Sequence, residues 1–304
     1  MVVAATGFFD GVHLGHRKVI EQLCKIAWKE GKESAVITFW PHPRNILQQD
    51  ADRLRLLTSL EEKKALIKSF GVDNFFVIPF DKSFSMLSTE EFLKQYLIDM
   101  YHVSTLIVGY DHRLGHKTGR NTQDSIFSVA QRVGIKPIRV SEYVSDDFVV
   151  SSTVIRDMIT VGKITDANKM LGYRYGLQGV VVSGEKIGRT FGFPTANIQL
   201  YEPLKLIPGK GVYIVWVGVM GKTYLGICNI GNRPTIGDNR GIIVETHILD
   251  FDEDIYGLDI KIEFVDRIRS EVKFQTRDEL RDQLIMDKKY AAHTFLLSDK
   301  IVLR

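Results

Sequence analysis

The first half of the chain alternates two hydrophobic rhythms. Short apolar runs, VVAAT from residue 2, SAVITF at 34–39, NFFVIPF at 74–80 and TLIVGY at 105–110, are separated by stretches in which apolar residues recur at helical spacing. Those stretches are HRKVIEQLCKIAWKEG at 16–31, LTSLEEKKALIKSFG at 57–71 and STEEFLKQYLIDMY at 88–101. Strand, helix, strand predicts a parallel sheet covered on both faces. Ser59 with Glu62, and Ser88 with Glu91, have capping-box spacing and mark helix starts.

Past residue 172 the helical rhythm stops. LQGVVVSG, GVYIVWVGVM, KTYLGICNIG, IVETHILDF and LDIKIEFVD read as strands separated by Gly, Asn, Asp and Pro, an antiparallel barrel or sandwich. Two helices are predicted to close it, one in EVKFQTRDELRDQLIMD and one in YAAHTFLLSDKIV. The expected division is 1–172 and 173–304, joined through the helical pattern of residues 151–172.

Composition narrows the function. Forty Lys and Arg against 37 Asp and Glu leave a net charge of +3 with mixed signs, which argues against nucleic acid as the main ligand. The two cysteines, Cys24 and Cys228, form neither a disulfide framework nor a thiolate zinc site, so a reducing cytoplasm is expected. The longest apolar runs have strand length, and no signal-peptide pattern opens the chain, so no membrane association is expected. Self-association is left open.

The candidate chemistry begins at residues 7–16, GFFDGVHLGH. Gly7, Gly11 and Gly15 fall in the turn after the first strand, with Asp10 between them. The carboxyl end of a parallel strand is where ligands bind, and a helix N-terminus favours anions. His13 and His16 lie one helical turn apart, so both can face one group, and imidazoles beside backbone N–H donors suit a phosphate. A metal pair and a purely structural turn are the alternatives at this point.

SSTVIR at 151–156 offers Ser151, Ser152, Thr153 and Arg156, whose hydroxyls and guanidinium suit phosphate, although alone it reads as a helix cap. GEKIGRTFGFPTAN at 184–197 is a second glycine-rich stretch. Its glycines, including Gly184, Gly188 and Gly192, allow close approach to phosphate; Lys186 and Arg189 add charge; Thr195 and Asn197 suit magnesium. A long hairpin is the alternative there. Glu245, in an alternating strand, reads alone as a solvent-facing residue.

The ordered set GFFDGVHLGH, TFWPHPR, LLTSLEEK, LIVGYDHRLG and SSTVIR resembles the nucleotidylyltransferase pattern with its H-x-G-H signature. With GRTFGFPTAN, LIPGKGVY, NIGNRPT and VETHILDFDEDIYG, nearly the whole chain is similar to the prokaryotic bifunctional riboflavin kinase and FMN adenylyltransferase family, the FAD synthetases. The resemblance implies a Rossmann-like domain followed by a β-barrel, acting on ATP, riboflavin and FMN with Mg2+. It implies that His13 and His16 contact ATP phosphates, that residues 151–156 form a second phosphate clamp, and that Glu245 takes the riboflavin 5′-hydroxyl proton. Asp111, and Arg281 in the closing helical stretch, are the flavin-binding candidates. His112 and Leu114 stand where the family commonly has aromatics, and Glu253 replaces a glycine, so strain or a changed turn is expected there. The family's usual short extension ahead of the first strand is missing.

Overall fold

The computed structural model describes residues 1–43, 46, 55–109, 126–141, 144–145, 148–184, 193–232 and 241–302. They form two compact units, Met1–Ser152 and Thr153–Arg304.

In the first unit, β1 (Val2–Thr6), β2 (Glu33–Trp40), β3 (Asn74–Pro79), β4 (Val103–Val108) and β5 (Lys136–Arg139) form a parallel sheet in the order β3-β2-β1-β4-β5, and β6 (Val144–Ser145) and β7 (Phe148–Val149) form a separate antiparallel pair. Val3 and Ala5 of β1 pack with Ile20, Leu23 and Ile26 of α1 (Leu14–Glu30) and Ile67 of α2 (Leu60–Ser69). Ala4 points the other way, into a cluster with Phe39, Phe92 and Leu97. The chain runs outward from β1 to β3 and then crosses to β4, which makes the carboxyl ends of β1 and β4 the topological switch point where such sheets bind ligands. Both predicted capping boxes are present, one starting α2 and one starting the helix Thr89–Phe92, which continues as a π-helix over Leu93–Met100. The short helix Ile126–Arg132 and β5 carry too few residues for a periodicity to register in the sequence.

The joining segment is helical as expected: α3 (Ser152–Thr160) and α4 (Ile164–Leu171). Within the second unit Asn168 fastens α4 to residues 175 and 264, its Nδ2 donating to Phe264 O at 2.9 Å and its Oδ1 accepting from Tyr175 N at 2.7 Å. Gly162, in the turn between these helices, has φ +80°, and a Cβ there would lie 2.9 Å from both Tyr213 Oη and Arg267 Cδ.

The second unit is a closed antiparallel barrel in the order β10-β11-β12-β9-β8-β13. Its strands are β8 (Gly176–Val182), β9 (Ala196–Leu200), β10 (Gly211–Val219), β11 (Lys222–Asn232), β12 (Ile242–Ile248) and β13 (Asp259–Arg269). Five of the six are legible as apolar runs; β9 is a five-residue strand in the tail of the second glycine-rich stretch. Closure leaves no unpaired edge. Tyr175, Tyr213 and Phe264 are fully buried within it.

The carboxyl-terminal end differs from expectation. A single helix, α5 (Arg277–Val302), replaces the two predicted, because Lys288 and Lys289 join the two apolar patterns without a helix breaker. Asp287, 1% exposed, ties α5 to β13: Arg269 donates to it from Nε at 3.1 Å and from Nη2 at 2.7 Å, and Gln283 Nε2 donates at 2.9 Å. Removing one partner of a buried pair leaves the other charge uncompensated, so Asp287→Ala should cost about 3 kcal/mol. Urea unfolding checks this, and an unchanged midpoint would show that the pair contributes nothing.

Candidate active sites

The loop between β1 and α1 is built under strain. Phe9 (φ 48°), Gly11 (φ 81°) and Val12 (φ 37°) all have positive φ. Glycine adopts this freely; for Phe and the β-branched Val it costs on the order of 1–3 kcal/mol each and persists only where the surroundings enforce it. The enforcement comes from Asp10, 4% exposed. Its carboxylate accepts from Leu57 N at 3.1 Å, Thr58 N at 3.1 Å and Thr58 Oγ1 at 3.3 Å, while Thr58 Oγ1 in turn accepts from Gly11 N at 3.1 Å. The carboxylate predicted to face a nucleotide therefore holds the loop to residues 57–58. Gly7 donates its N–H to Ile37 O at 3.1 Å, and a Cβ there would meet the Phe9 ring at 3.2 Å. Gly15 lies inside the first turn of α1 rather than in the loop.

This arrangement brings the two histidines together. His13 is the N-cap of α1, its Nδ1 accepting from His16 N at 3.3 Å. The two rings stack, with centroids 3.7 Å apart and planes 16° apart, and Phe9 meets the His16 ring edge-on at 5.3 Å. Among the described residues, His16 Nδ1 is buried with no hydrogen-bond partner. Burial first, then the neighbouring His13 and Lys63, hold His16 well below the ordinary histidine range, so its ring is neutral at pH 7.

Ser152 joins the same place, donating from Oγ to Asp10 O at 2.9 Å. The structure thus unites the H-x-G-H loop with the start of the S-S-T-x-x-R segment; Ser151 and Arg156 are half-buried and Thr153 is exposed. Two further residues, His42 and Lys63, belong to this region. The His42 ring, just past β2, lies 4.8 Å from that of Phe8. Lys63 of α2 is 3% exposed with its ammonium 5.9 Å from the Trp40 ring centroid. A lysine one turn before the buried Ile67, on the apolar face of a helix, was the sequence signal for it. Asp111, with His112 and Leu114, lies outside the described residues.

In the barrel, register assembles the second constellation. Glu245 of β12 pairs directly with Asn197 of β9 on one side and Asn229 of β11 on the other. Directly opposed residues share a face with Cβ atoms about 5 Å apart, so a predicted base, a predicted metal ligand and an unforeseen asparagine stand in one row. Asn197 closes over Gly184, where an added Cβ would lie 1.9 Å from its Nδ2. Thr195 lines a cavity of about 450 Å³ with Val181, Thr246, Ile248 and Ile255, and the acidic run Asp252, Glu253 and Asp254 lies along it. His247 Nδ1 is 2.9 Å from Pro194 O and its ring packs on Phe193, which fixes the tail of the glycine-rich stretch to β12.

Lys186, Gly188, Arg189 and Gly192 lie outside the described residues. The strain expected at Glu253 is absent, because the positive φ values of that turn fall at Asp250 (52°) and Gly257 (77°). Arg281 is exposed on α5 beside Asp278 and Asp282 of its own helix, at 3.7 and 3.5 Å, so no described contact brings it to the strand row. Burial above all pushes the Cys228 thiol up to about 12, which makes it inert.

An anion-receiving loop at the switch point of a parallel sheet, followed by a closed barrel with a carboxylate and amides beside a glycine-rich stretch, defines a two-domain phosphoryl-transfer enzyme. The FAD synthetase family model matches residues 1–154 and the riboflavin kinase family model residues 171–295. The chain is 40% identical to the bifunctional riboflavin kinase/FMN adenylyltransferase of Listeria monocytogenes, over 94% of this chain and 90% of that one. It is 39% identical to the enzyme of the same name from Bacillus subtilis, over 96% and 92%. A crystal structure described as a macrolide-efflux protein from Streptococcus pneumoniae superposes with a TM-score of 0.87 at 30% identity, covering 96% of this chain and 93% of that one. Among the described residues here, no helix is long and apolar enough to cross a membrane. The chain belongs to the bifunctional riboflavin kinase/FMN adenylyltransferase family.

Two outcomes follow from this geometry. Asp10→Ala strands the buried N–H groups of Leu57 and Thr58 and releases the strained loop, so it should cost the first unit about 3 kcal/mol. Denaturant melts followed by a probe in that unit check this, and a loss below about 1 kcal/mol would show that the loop is held by something else. His16 binds its proton more weakly folded than at the unfolded value of 6.5, so its contribution is full above that pH and is lost as pH falls below it. Comparing unfolding midpoints at several pH values on either side of 6.5, His16→Asn should show a smaller acid loss than the parent; equal losses would overturn the assignment.

Proposed function

We propose that the family's two activities map onto the two sites as follows. The riboflavin kinase domain phosphorylates riboflavin with ATP to FMN, and the FAD synthetase domain joins FMN to AMP from ATP, giving FAD and pyrophosphate. In the first reaction Glu245 accepts the 5′-hydroxyl proton as that oxygen bonds to the γ-phosphorus, and ADP leaves with the electron pair of the broken bond. Gly184, Lys186, Gly188, Arg189 and Gly192 cradle the ATP phosphates. Thr195 and Asn197, hard oxygen donors beside Glu245, suit magnesium, which takes one or two protein ligands and completes its shell with phosphate and water. Magnesium would neutralise and orient the phosphates when bound.

In the second reaction a phosphate oxygen of FMN bonds to the α-phosphorus of ATP as pyrophosphate departs. His13, His16 and the first-turn N–H groups of α1 steady the charge, and residues 151–156 grip the phosphates. Asp111 serves the flavin; Arg281, set among its own helix's carboxylates, is the weaker flavin candidate. The stacked His13–His16 pair at the switch point carries this reading. The working division is 1–172 for adenylylation and 173–304 for phosphorylation, on small-molecule substrates in the cytoplasm.

Reciprocal variants test it, with flavins separated after incubation with riboflavin or FMN, ATP and magnesium. His16→Ala should cut FMN to FAD conversion at least about tenfold and leave riboflavin phosphorylation intact. Glu245→Gln should cut phosphorylation by about 10² to 10⁴, in kcat more than KM, and leave supplied FMN convertible. Loss of both reactions in either variant would show that the two sites are not separable in this way.

A further inference from the structure

Lys63 is the one residue of the first site whose presence the loop's own architecture does not explain. It is 97% buried, yet among the described residues no carboxylate lies within ion-pair distance of its ammonium and no acceptor hydrogen-bonds it. Its ammonium faces the Trp40 ring at 5.9 Å, the Asp10 carboxylate favours its charge, and that charge depresses the basicity of His16. A counter-ion role for Asp10 is the ordinary explanation for such a lysine, but Asp10 is already served by Leu57 N, Thr58 N and Thr58 Oγ1. A lysine buried to this degree with no carboxylate paired to it is costly, and its cation–π contact offsets only part of that cost. Lys63 of α2 faces Trp40 at the carboxyl end of β2, and the bonds of Asp10 to Leu57 and Thr58 tie the approach to α2 to the loop that opens α1, where the helix N-terminus also favours an anion.

We propose that Lys63 is a substrate-contacting residue of adenylyl transfer, its ammonium receiving phosphate oxygens of ATP beside His16. The proposal rests on the assignment of the His13–His16 loop to that reaction. Its chemical logic is complementary to the loop's. His16 is held neutral by its surroundings and offers a hydrogen bond, while Lys63 supplies the full positive charge that a polyphosphate needs. As the FMN phosphate oxygen bonds to the α-phosphorus and the bond to the bridging oxygen breaks, negative charge moves onto the departing pyrophosphate; Lys63 holds that charge and transfers no proton. Burial lowers Lys63 from 10.5 to about 8, with Asp10 opposing, so the free enzyme loses this cation as pH rises past that value. The titratable groups that act on it or feel its charge are Asp10 and His16; on its own helix Glu62 is turned back to Ser59 N at 2.8 Å.

The test is the ATP dependence of FMN to FAD conversion in the full chain, with riboflavin phosphorylation as the internal reference. Lys63→Met should lower kcat/KM for ATP at least about tenfold in FAD synthesis and leave the ATP KM of the kinase reaction unchanged. In the parent, kcat/KM for ATP in FAD synthesis should fall as pH rises above about 8, and Lys63→Met should lose that fall. A merely structural lysine predicts a lower melting temperature with the parent ATP KM and parent pH profile, and that outcome overturns the proposal. Should Lys63→Met fail to fold, a parent profile with no fall above about 8 overturns it on its own. An impaired His16→Ala with a normal Lys63→Met sinks only the lysine; if both are normal, the assignment of the loop itself falls.

Discussion

A buried carboxylate holding a strained loop is the constraint on which the first site depends. Asp10 accepts two backbone N–H groups and a hydroxyl from residues 57 and 58, and in doing so keeps Phe9 and Val12 at positive φ. Only with the loop in that conformation does His13 cap α1, do the two imidazoles stack, and does Ser152 find the Asp10 carbonyl. The stabilisation is electrostatic and local, but its consequence is positional. It aims an anion-receiving surface out of the sheet at the one place where strand order reverses.

The barrel reaches a comparable end by other means. Strand pairing, rather than a single anchor, sets Asn229, Glu245 and Asn197 abreast, and a one-residue slip of β12 would turn Glu245 to the opposite face. Closure of the barrel and the fastening of α5 through Arg269 and Asp287 resist such a slip. Gly184 and His247 then hold the two ends of the glycine-rich stretch against the row, one by leaving room for Asn197 and the other by bonding Pro194.

Desolvation sets protonation states in both units. Burial keeps His16 neutral and lowers Lys63, and it raises Cys228 out of the reactive range. The first unit therefore presents a neutral donor beside a cation, and the barrel presents a carboxylate among amides, a division suited to steadying phosphoryl charge in one case and accepting a proton in the other.

The amino-acid sequence by itself determined the two rhythms, both capping boxes and five of the six barrel strands, because each is carried by residues close together in the chain. It also pointed to Asn197 through the glycine-rich stretch, and to Glu245 only through a resemblance, since a lone Glu in an alternating strand has no local mark of function. The tertiary structure alone decided that Asp10 fastens the loop to residues 57 and 58, that the final helices are one, that Glu253 needs no strain, and that Lys63 and Asn229 stand beside the candidate groups. These depend on contacts between residues tens of positions apart, Asp10 with Thr58 or Asn197 with Glu245, and no periodicity along the chain records which distant strand or helix will supply the partner.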